Sequence, residues 1–595
     1  MSKLPRPDYP RPQFQRNEWI NLNGIWQFEF DDHDVGIKEE WFHGKDFSRG
    51  IRVPFAYQSQ LSGIGEVEFH DIVWYKRTFH IPSQMNDQLI FLHFGAVDYR
   101  AWVWINGQQV CFHEGGHVPF HAEITPFLRE GENEVVVRAE DPSDALDQPR
   151  GKQYWKEESE SIFYTRTTGI WQTVWLEAVS PTHLERVWMT PDIDRDEIVI
   201  EYQVRNPLPD DQLEIAITFD GNPVATELIQ LHHQRSQRAI RLNDFHVHHE
   251  GRIWSPEHPH LYDVTFTLRR NGVNLDQVKS YFGMRKISIE QGRICLNNRP
   301  YYMKLVLDQG YFPDGLLTPP SDEAIRRDVQ LTKEMGFNGV RKHQKVEDPR
   351  YLYWADRLGL LVWGEMANSY TYSTDGVRRM TQEWQQAVER DYNHPSVVVW
   401  VPINESWGVP HLLTDSQQQA HLRAMVHLTK SLDATRLVVS NDGWEHADSD
   451  LLTVHDYHPY KHVLKERYAA YNHLTSSLPA QRPLYIPGHT YQGEPIMVTE
   501  FGGIAYKKSD WEGWGYSGAT DDQDFAERYE AVVSALLESP LVQGFCYTQL
   551  TDVEQEINGL LTYDRQPKIN LDVIRKINVG KAWDHEKIEA DVGVR

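Results

Sequence analysis

From residue 288 onward the apolar positions fall into short continuous runs, most of them followed by a longer stretch with helical spacing. The runs at 301–306, 339–341, 360–363, 397–402, 436–440, 452–455, 496–499 and 542–547 lack polar alternation, so they read as strands covered on both faces. Segments 321–335, 349–358, 381–392, 415–432, 463–474 and 524–537, and a last one near 569–578, read as helices between and after them. Ser321, followed by two acidic residues, is a natural N-cap for the first helix. Eight strands in about 290 residues, mostly alternating with helices, predict a (β/α)8 TIM barrel.

The first half has a different rhythm. Short β-like runs at 24–30, 73–81, 89–94, 101–106, 134–139 and 171–178 are separated in places by turns such as Asn106-Gly107 and Glu130-Gly131-Glu132, which predicts a jelly-roll β-sandwich. A second set at 197–204, 213–219, 239–242 and 262–269 suits an immunoglobulin-like sandwich of about 100 residues. Trp254 to Tyr262 reads as a loop and strand entry of that module. The expected organisation is a multidomain β and α/β chain: jelly roll 1–182, immunoglobulin-like β-sandwich 183–287 and barrel 288–595, its last dozen residues a polar tail. No linker of low complexity separates the modules, so they should pack against one another.

Composition narrows the partners. A net charge of −26 argues against nucleic acid or an anionic membrane as the main partner. Aromatic residues make up 12 % of the chain, which suits sandwiches and sugar-stacking surfaces alike. Three widely spaced cysteines, Cys111, Cys295 and Cys546, form neither a disulfide framework nor a zinc pattern. The N-terminus has no apolar core like that of a signal peptide, and no run of about 18 apolar residues occurs, so the expected location is cytoplasmic, without membrane attachment.

Two barrel strands end in glutamates: Val401-Pro-Ile-Asn-Glu-Ser-Trp407 carries Glu405 after the fourth, and Ile496-Met-Val-Thr-Glu-Phe-Gly-Gly503 carries Glu500 after the seventh. Carboxyl ends of barrel strands are where such folds build active sites, and paired carboxylates can cleave a glycosidic bond. Asn404-Glu405 with Thr499-Glu500-Phe501-Gly502 resembles the acid/base and nucleophile pair of glycoside hydrolase family 2, which includes β-galactosidases, β-glucuronidases and β-mannosidases. The resemblance extends over nearly the whole chain. Asn21-Leu-Asn-Gly-Ile-Trp26, Gly115-Gly-His-Val-Pro-Phe120 and Gly169-Ile-Trp-Gln-Thr-Val-Trp-Leu-Glu177 resemble the family's sugar-binding domain. Trp254 with Pro259-His-Leu-Tyr262, and Phe282-Gly-Met-Arg285, resemble its immunoglobulin-like domain.

That resemblance implies a retaining exo-acting β-glycosidase, with Glu500 attacking the anomeric carbon and Glu405 serving as acid, then base. It implies Asn404 as a donor to the sugar 2-hydroxyl, no cofactor, a glycoside or oligosaccharide as substrate, and a dimer or tetramer. Arg341 and His343, after the second strand, resemble the family's Arg-x-x-His region one residue short; Arg341 would keep Glu500 ionised or serve as a structural ion pair. Glu365 after the third strand would orient its neighbours. Asp308 after the first would bind a sugar hydroxyl or cap a loop. His455 or Tyr457 would hydrogen-bond the nucleophile, and Trp407, Trp444 and Tyr547 are sugar platforms or core aromatics. A catalytic metal is not expected, because the first strand lacks the His-x-His of metallohydrolase barrels.

Gly559-Leu-Leu-Thr-Tyr-Asp-Arg-Gln-Pro-Lys568 resembles the end of the barrel in β-glucuronidases, in which a preceding Asn-x-Lys binds the sugar carboxylate. Here those positions read Glu556-Ile-Asn558, with Glu554 close by, which favours a neutral glycone, galactose first, over glucuronate. The reading from a different class is a non-catalytic carbohydrate-binding protein, which predicts the loss of one of the two glutamates. Both are present.

Overall fold

The computed structural model describes residues 4–242, 252–508 and 512–580. The polar tail expected at the C-terminus lies outside the described residues. Among those described, no helix is long and apolar enough to cross a membrane.

The N-terminal module packs a four-stranded sheet (Trp19–Asn21, Val174–Val179, Leu89–Phe94, Phe120–Glu123) on a six-stranded one containing Gly24–Phe30, Ile72–His80, Glu132–Glu140 and Arg100–Ile105. The run expected at 171–178 starts later, as Val174–Val179, and Gly169–Ile170 just before it pairs separately. The second module is a sandwich of three and four strands. Its strand Glu197–Arg205 shows the cause in miniature: Ile198, Ile200, Tyr202 and Val204 point inward at period two, each burying about 1.5–3 kcal/mol of apolar side chain, while the alternate residues stay half-exposed.

Trp254 belongs to the joint between this module and the barrel. It is fully buried, and its indole N–H donates to the Asp356 carbonyl at 2.8 Å. Arg285 donates to the carbonyls of Pro395 and Val397 beneath the fourth barrel strand.

The barrel strands are Met303–Asp308, Gly339–Lys342, Leu361–Glu365, Val397–Val401, Leu437–Val438, Leu452–Asp456, Ile496–Gly502 and Val542–Thr548. They pair in parallel in the order 5-4-3-2-1-8-7-6. Strands five and six meet through the 440–450 loop, where Asp450 N donates to Val438 O at 2.9 Å and Gly443 N to Thr453 Oγ1 at 3.1 Å. Parity along each strand sorts the side chains. Leu305, Leu307, Trp363, Val399, Met497 and Cys546 fill the barrel interior; Val306, Val340, Val454, Val498, Phe545 and Tyr547 pack under the helices.

Two helices differ from expectation. The third spans Thr374–Asp391, seven residues earlier than its periodicity suggests, because Ser373 caps it by accepting from Gly376 N at 2.9 Å. The helix expected at 463–474 is two short ones, Lys461–Arg467 and Tyr471–Ser477. At the break, Arg467 and the Tyr468 hydroxyl both bind Asp456, a tertiary tie that overrides the local periodicity.

Candidate active site

The site lies at the C-terminal mouth of the barrel and is organised around Arg341. This guanidinium is fully buried and donates to Glu365 at 2.7 Å, to Glu500 Oε1 at 3.0 Å, to Asn404 Oδ1 at 2.7 Å and to His343 Nδ1 at 3.1 Å. It also pairs with Asp442 at 2.7 Å. Planar, many-donor geometry is what lets one arginine serve several acceptors. Glu500 accepts further from the Tyr457 hydroxyl at 2.7 Å, and Tyr457 stacks on Tyr516 with centroids 3.4 Å apart. Glu500 sits inside the seventh strand, not beyond its end, because that strand continues to Gly502.

Glu405 is held in a loop that leaves little freedom. It and Ser406 adopt left-handed backbone conformations (φ 52° and 60°), which non-glycine residues tolerate only when their surroundings over-determine them. Here Glu405 N donates to Asp442 O at 3.0 Å, Ser406 N to Asn441 Oδ1 at 2.8 Å, and Asn404 N to Asn368 Oδ1 at 2.8 Å. The Asn404 amide nitrogen is buried beside the two glutamates and has no partner among the described residues.

His455 joins the two glutamates. Its Nδ1 donates to Glu405 Oε1 at 2.7 Å and lies 3.5 Å from Glu500 Oε2; its Nε2 donates to Asp442 at 2.9 Å. Burial opposes a charged ring, but Glu500, Asp442 and Glu405 together raise its pKa to about 10. Asp442 shows the converse: burial alone would raise it, yet Arg341 and His455 hold its carboxyl well below the usual range. His343 is kept neutral by burial and by Arg341, and Glu365 is pushed above the usual carboxylate range by burial despite Arg341.

A folded-state pKa raised above the ordinary 6.5 means that this ring stabilises the fold fully below pH 6.5 and loses that contribution as pH rises toward about 10. The melting-temperature advantage of wild type over His455→Gln should therefore be largest near pH 6 and shrink steadily up to about pH 10. A constant difference across that range would refute the charged ring.

One oxygen each of Glu405 and Glu500 and one nitrogen of His455 lie within 4.8 Å of one another, a spacing that also suits a metal ion. His455 reaches Glu405 and Asp442 through its two ring nitrogens, so a metal bound there would have to take the place of a proton the ring holds toward one of them.

Parity decides two expectations that were open, against a sugar contact in each case. Asp308 follows the inward Leu307 and therefore points out, where it binds Lys342 at 2.5 Å in a buried network with Glu347 and caps the following loop by accepting from Gly310 N at 2.8 Å, the second of its two expected roles. Tyr547 points out beside Tyr529 and Phe501, fully buried in the helical layer. Its inward neighbour Thr548 is the one near the site, 3.2 Å from the Tyr457 hydroxyl. Trp444 flanks His455 at 5.5 Å, and Trp407 is half-buried in a ring cluster with Tyr370 and Phe163.

Sequence reasoning missed Asp442, Tyr516 and Asn368. Asp442 follows a strand of only two residues, Leu437–Val438, so no apolar run pointed to it. It also missed the role of the N-terminal module, whose 150–165 segment closes one side of the mouth. Gly151 N donates to Asn368 O at 3.0 Å, Tyr164 binds Glu556, and Thr165 N donates to Glu554 at 3.1 Å.

Comparison with known proteins agrees with this arrangement. Three domain profiles match in order: glycosyl hydrolases family 2 sugar binding domain at residues 20–177, glycosyl hydrolases family 2 at 182–285, and the family 2 TIM barrel domain at 287–580. A putative beta-glucuronidase of Formosa agariphila is 28 % identical over 57 % of this chain and 40 % of its own length. A beta-galactosidase of Priestia megaterium is 24 % identical over 78 % of this chain and 44 % of its own. This chain thus spans less than half the length of either. The solved β-glucuronidase of Ruminococcus gnavus in complex with D-glucuronic acid superimposes with a TM-score of 0.77, at 19 % identity, over 96 % of this chain and 99 % of that one. At that identity the likeness is one of fold.

Proposed function

We propose, from the premise that the chain belongs to glycosyl hydrolase family 2 and is a glycosidase, that it is a retaining, exo-acting β-glycosidase for a neutral terminal sugar, a β-galactoside first. The carrying observation is the approach of Glu405 and Glu500 to within 4.8 Å. Retaining enzymes hold their carboxyl groups about 5–5.5 Å apart, too close for a water to stand between nucleophile and acid as inversion requires.

In this reading Glu500, oriented by Arg341 and Tyr457, attacks the anomeric carbon from the face opposite the leaving oxygen. The carbon–oxygen bond breaks as Glu405 gives its proton to that oxygen, leaving a covalent glycosyl-enzyme. Glu405 then takes a proton from water, whose oxygen attacks the same carbon and releases Glu500. His455, 2.7 Å from Glu405, orients the acid/base. The Asn404 amide, without a partner among the described residues, would donate to the 2-hydroxyl, a bond that strengthens as positive charge grows at the ring.

The neutral sugar is argued from Glu556. It is 3 % exposed, accepts from Asn558 at 3.0 Å and from Tyr164, and acts on the same Tyr516 ring as Glu500 and Glu405. A substrate carboxylate there would meet a further acid, and a buried one. Glu554 contributes less to that field than its sequence position suggests, since it is spent on Thr165. The cations nearest in sequence are committed elsewhere, Arg565 to Asp328 at 3.1 Å and Lys568 to Asp552 at 2.6 Å. The β-glucuronidases among the relatives favour a second reading, a β-glucuronide. A panel of 4-nitrophenyl glycosides separates the two: the β-galactoside should be hydrolysed well above the β-glucuronide. Preferential turnover of the glucuronide would overturn the assignment of Glu556.

A further inference from the structure

The mouth contains a cation that none of the roles above uses. Lys152 comes from the N-terminal module, is 7 % exposed, and its ammonium has neither a hydrogen bond nor an ion pair among the described residues. Most buried lysines of this chain are paired: Lys342 with Asp308 and Glu347, Lys345 with Glu347, Lys568 with Asp552. What Lys152 has instead is the face of Trp407, with Nζ 5.0 Å from the ring, in the loop that carries Glu405. It also adds to the positive field on His343, next to Arg341.

This placement is built into the fold. Arg150 N and Gly151 N both donate to Asn368 O, at 3.2 and 3.0 Å, and Tyr370 binds the Gly151 carbonyl. Gly151 adopts φ 60°, and a Cβ there would stand 2.1 Å from the Gln344 carbonyl, so only glycine allows this close an approach. Tyr164 N donates to Lys152 O at 2.9 Å, fixing the residue from its other side. An ammonium on a side chain only 7 % exposed, with no protein acceptor, gains when a ligand accepts from it.

We propose that Lys152 is a glycone-contacting residue: its ammonium donates a hydrogen bond to one hydroxyl oxygen of a neutral sugar, so that the N-terminal module completes the barrel's substrate pocket. The inference rests on the neutral-sugar glycosidase reading above. Hydroxyls fit better than a carboxylate for two reasons. The indole face already offsets part of the ammonium's charge, and Glu500 and Glu556, which both act on the Tyr516 ring, oppose a further anion there.

The test uses the full chain, the best neutral aryl glycoside of the panel, its monodeoxy analogues and the glucuronide. Lys152→Met, which keeps the apolar stem, should lower kcat/KM on the parent glycoside about 10- to 100-fold at an unchanged melting temperature. On the one monodeoxy glycoside that lacks the contacted hydroxyl, wild type and variant should differ little, because that substrate has already lost the bond. Lys152→Gln repeats the measurement with a polar side chain in case the methionine disturbs folding. Undiminished activity, an equal loss on every monodeoxy glycoside, or a loss confined to the glucuronide would each overturn the proposal. Glu500→Ala run in parallel separates the failures: if that variant still hydrolyses the substrate, the glycosidase reading falls; if it is inactive while Lys152→Met is normal, only the role of Lys152 falls.

Discussion

Glu500→Ala should lower turnover of an aryl β-glycoside by on the order of 10^4-fold or more while leaving the melting temperature close to wild type, since Arg341 keeps Glu365 and Asp442 as partners. Its product chemistry is the sharper test. With the carboxylate gone, added azide can occupy the emptied face and attack the anomeric carbon, restoring activity and giving the α-glycosyl azide. Glu405→Ala should behave oppositely. It retains glycosylation with a leaving group that departs without a proton, such as 2,4-dinitrophenolate, and stalls at hydrolysis of the intermediate. Azide then attacks the glycosyl-enzyme and gives the β-glycosyl azide. Interchanged products would exchange the two roles, and normal turnover by Glu500→Ala would end the assignment.

Arg341→Met should produce the largest loss of stability. Glu365, Asp442 and Glu500 would be left as buried charges with their shared cation removed, and breaking a buried pair in this way costs about 3–5 kcal/mol. The sign with pH follows. Uncompensated carboxylates take up protons more readily, so the variant's deficit should shrink in mild acid and grow toward alkaline pH. Arg341→Lys should fall between, since one ammonium cannot reproduce the fork that reaches Glu365, Glu500 and Asn404 together. Thermal unfolding of the three proteins at about pH 5 and pH 8 measures this. An equal deficit at both values would show that Arg341 acts through packing and not through charge.

Much of the site was readable because it lies on apolar runs. Glu405, Glu365, His455 and Glu500 each end or closely follow a strand whose continuous hydrophobicity marks it as buried on both faces, and barrel chemistry gathers at such ends. The limits were equally specific. Asp308 and Tyr547 sit at strand ends too, but a one-residue difference in parity turns them outward, and a run apolar on both faces conceals that parity. Asp442 hides after a strand of two residues. The break at Tyr468 was invisible because Asp456, which causes it, is twelve residues away and acts through its side chain.

The sequence by itself determined the three-module order, the barrel, and the placing of two glutamates at the ends of its fourth and seventh strands, since strand burial and helical spacing are local properties written into short stretches. Only the tertiary structure decided which strand-end residues face one another, because ring closure sets inward and outward positions for all eight strands at once. It alone brought Lys152 onto Trp407, 255 residues further along the chain, by packing the jelly roll against the barrel mouth through Gly151 and Asn368. A contact of that kind leaves no periodicity in the sequence, because neither partner's neighbours along the chain need to change for it to form.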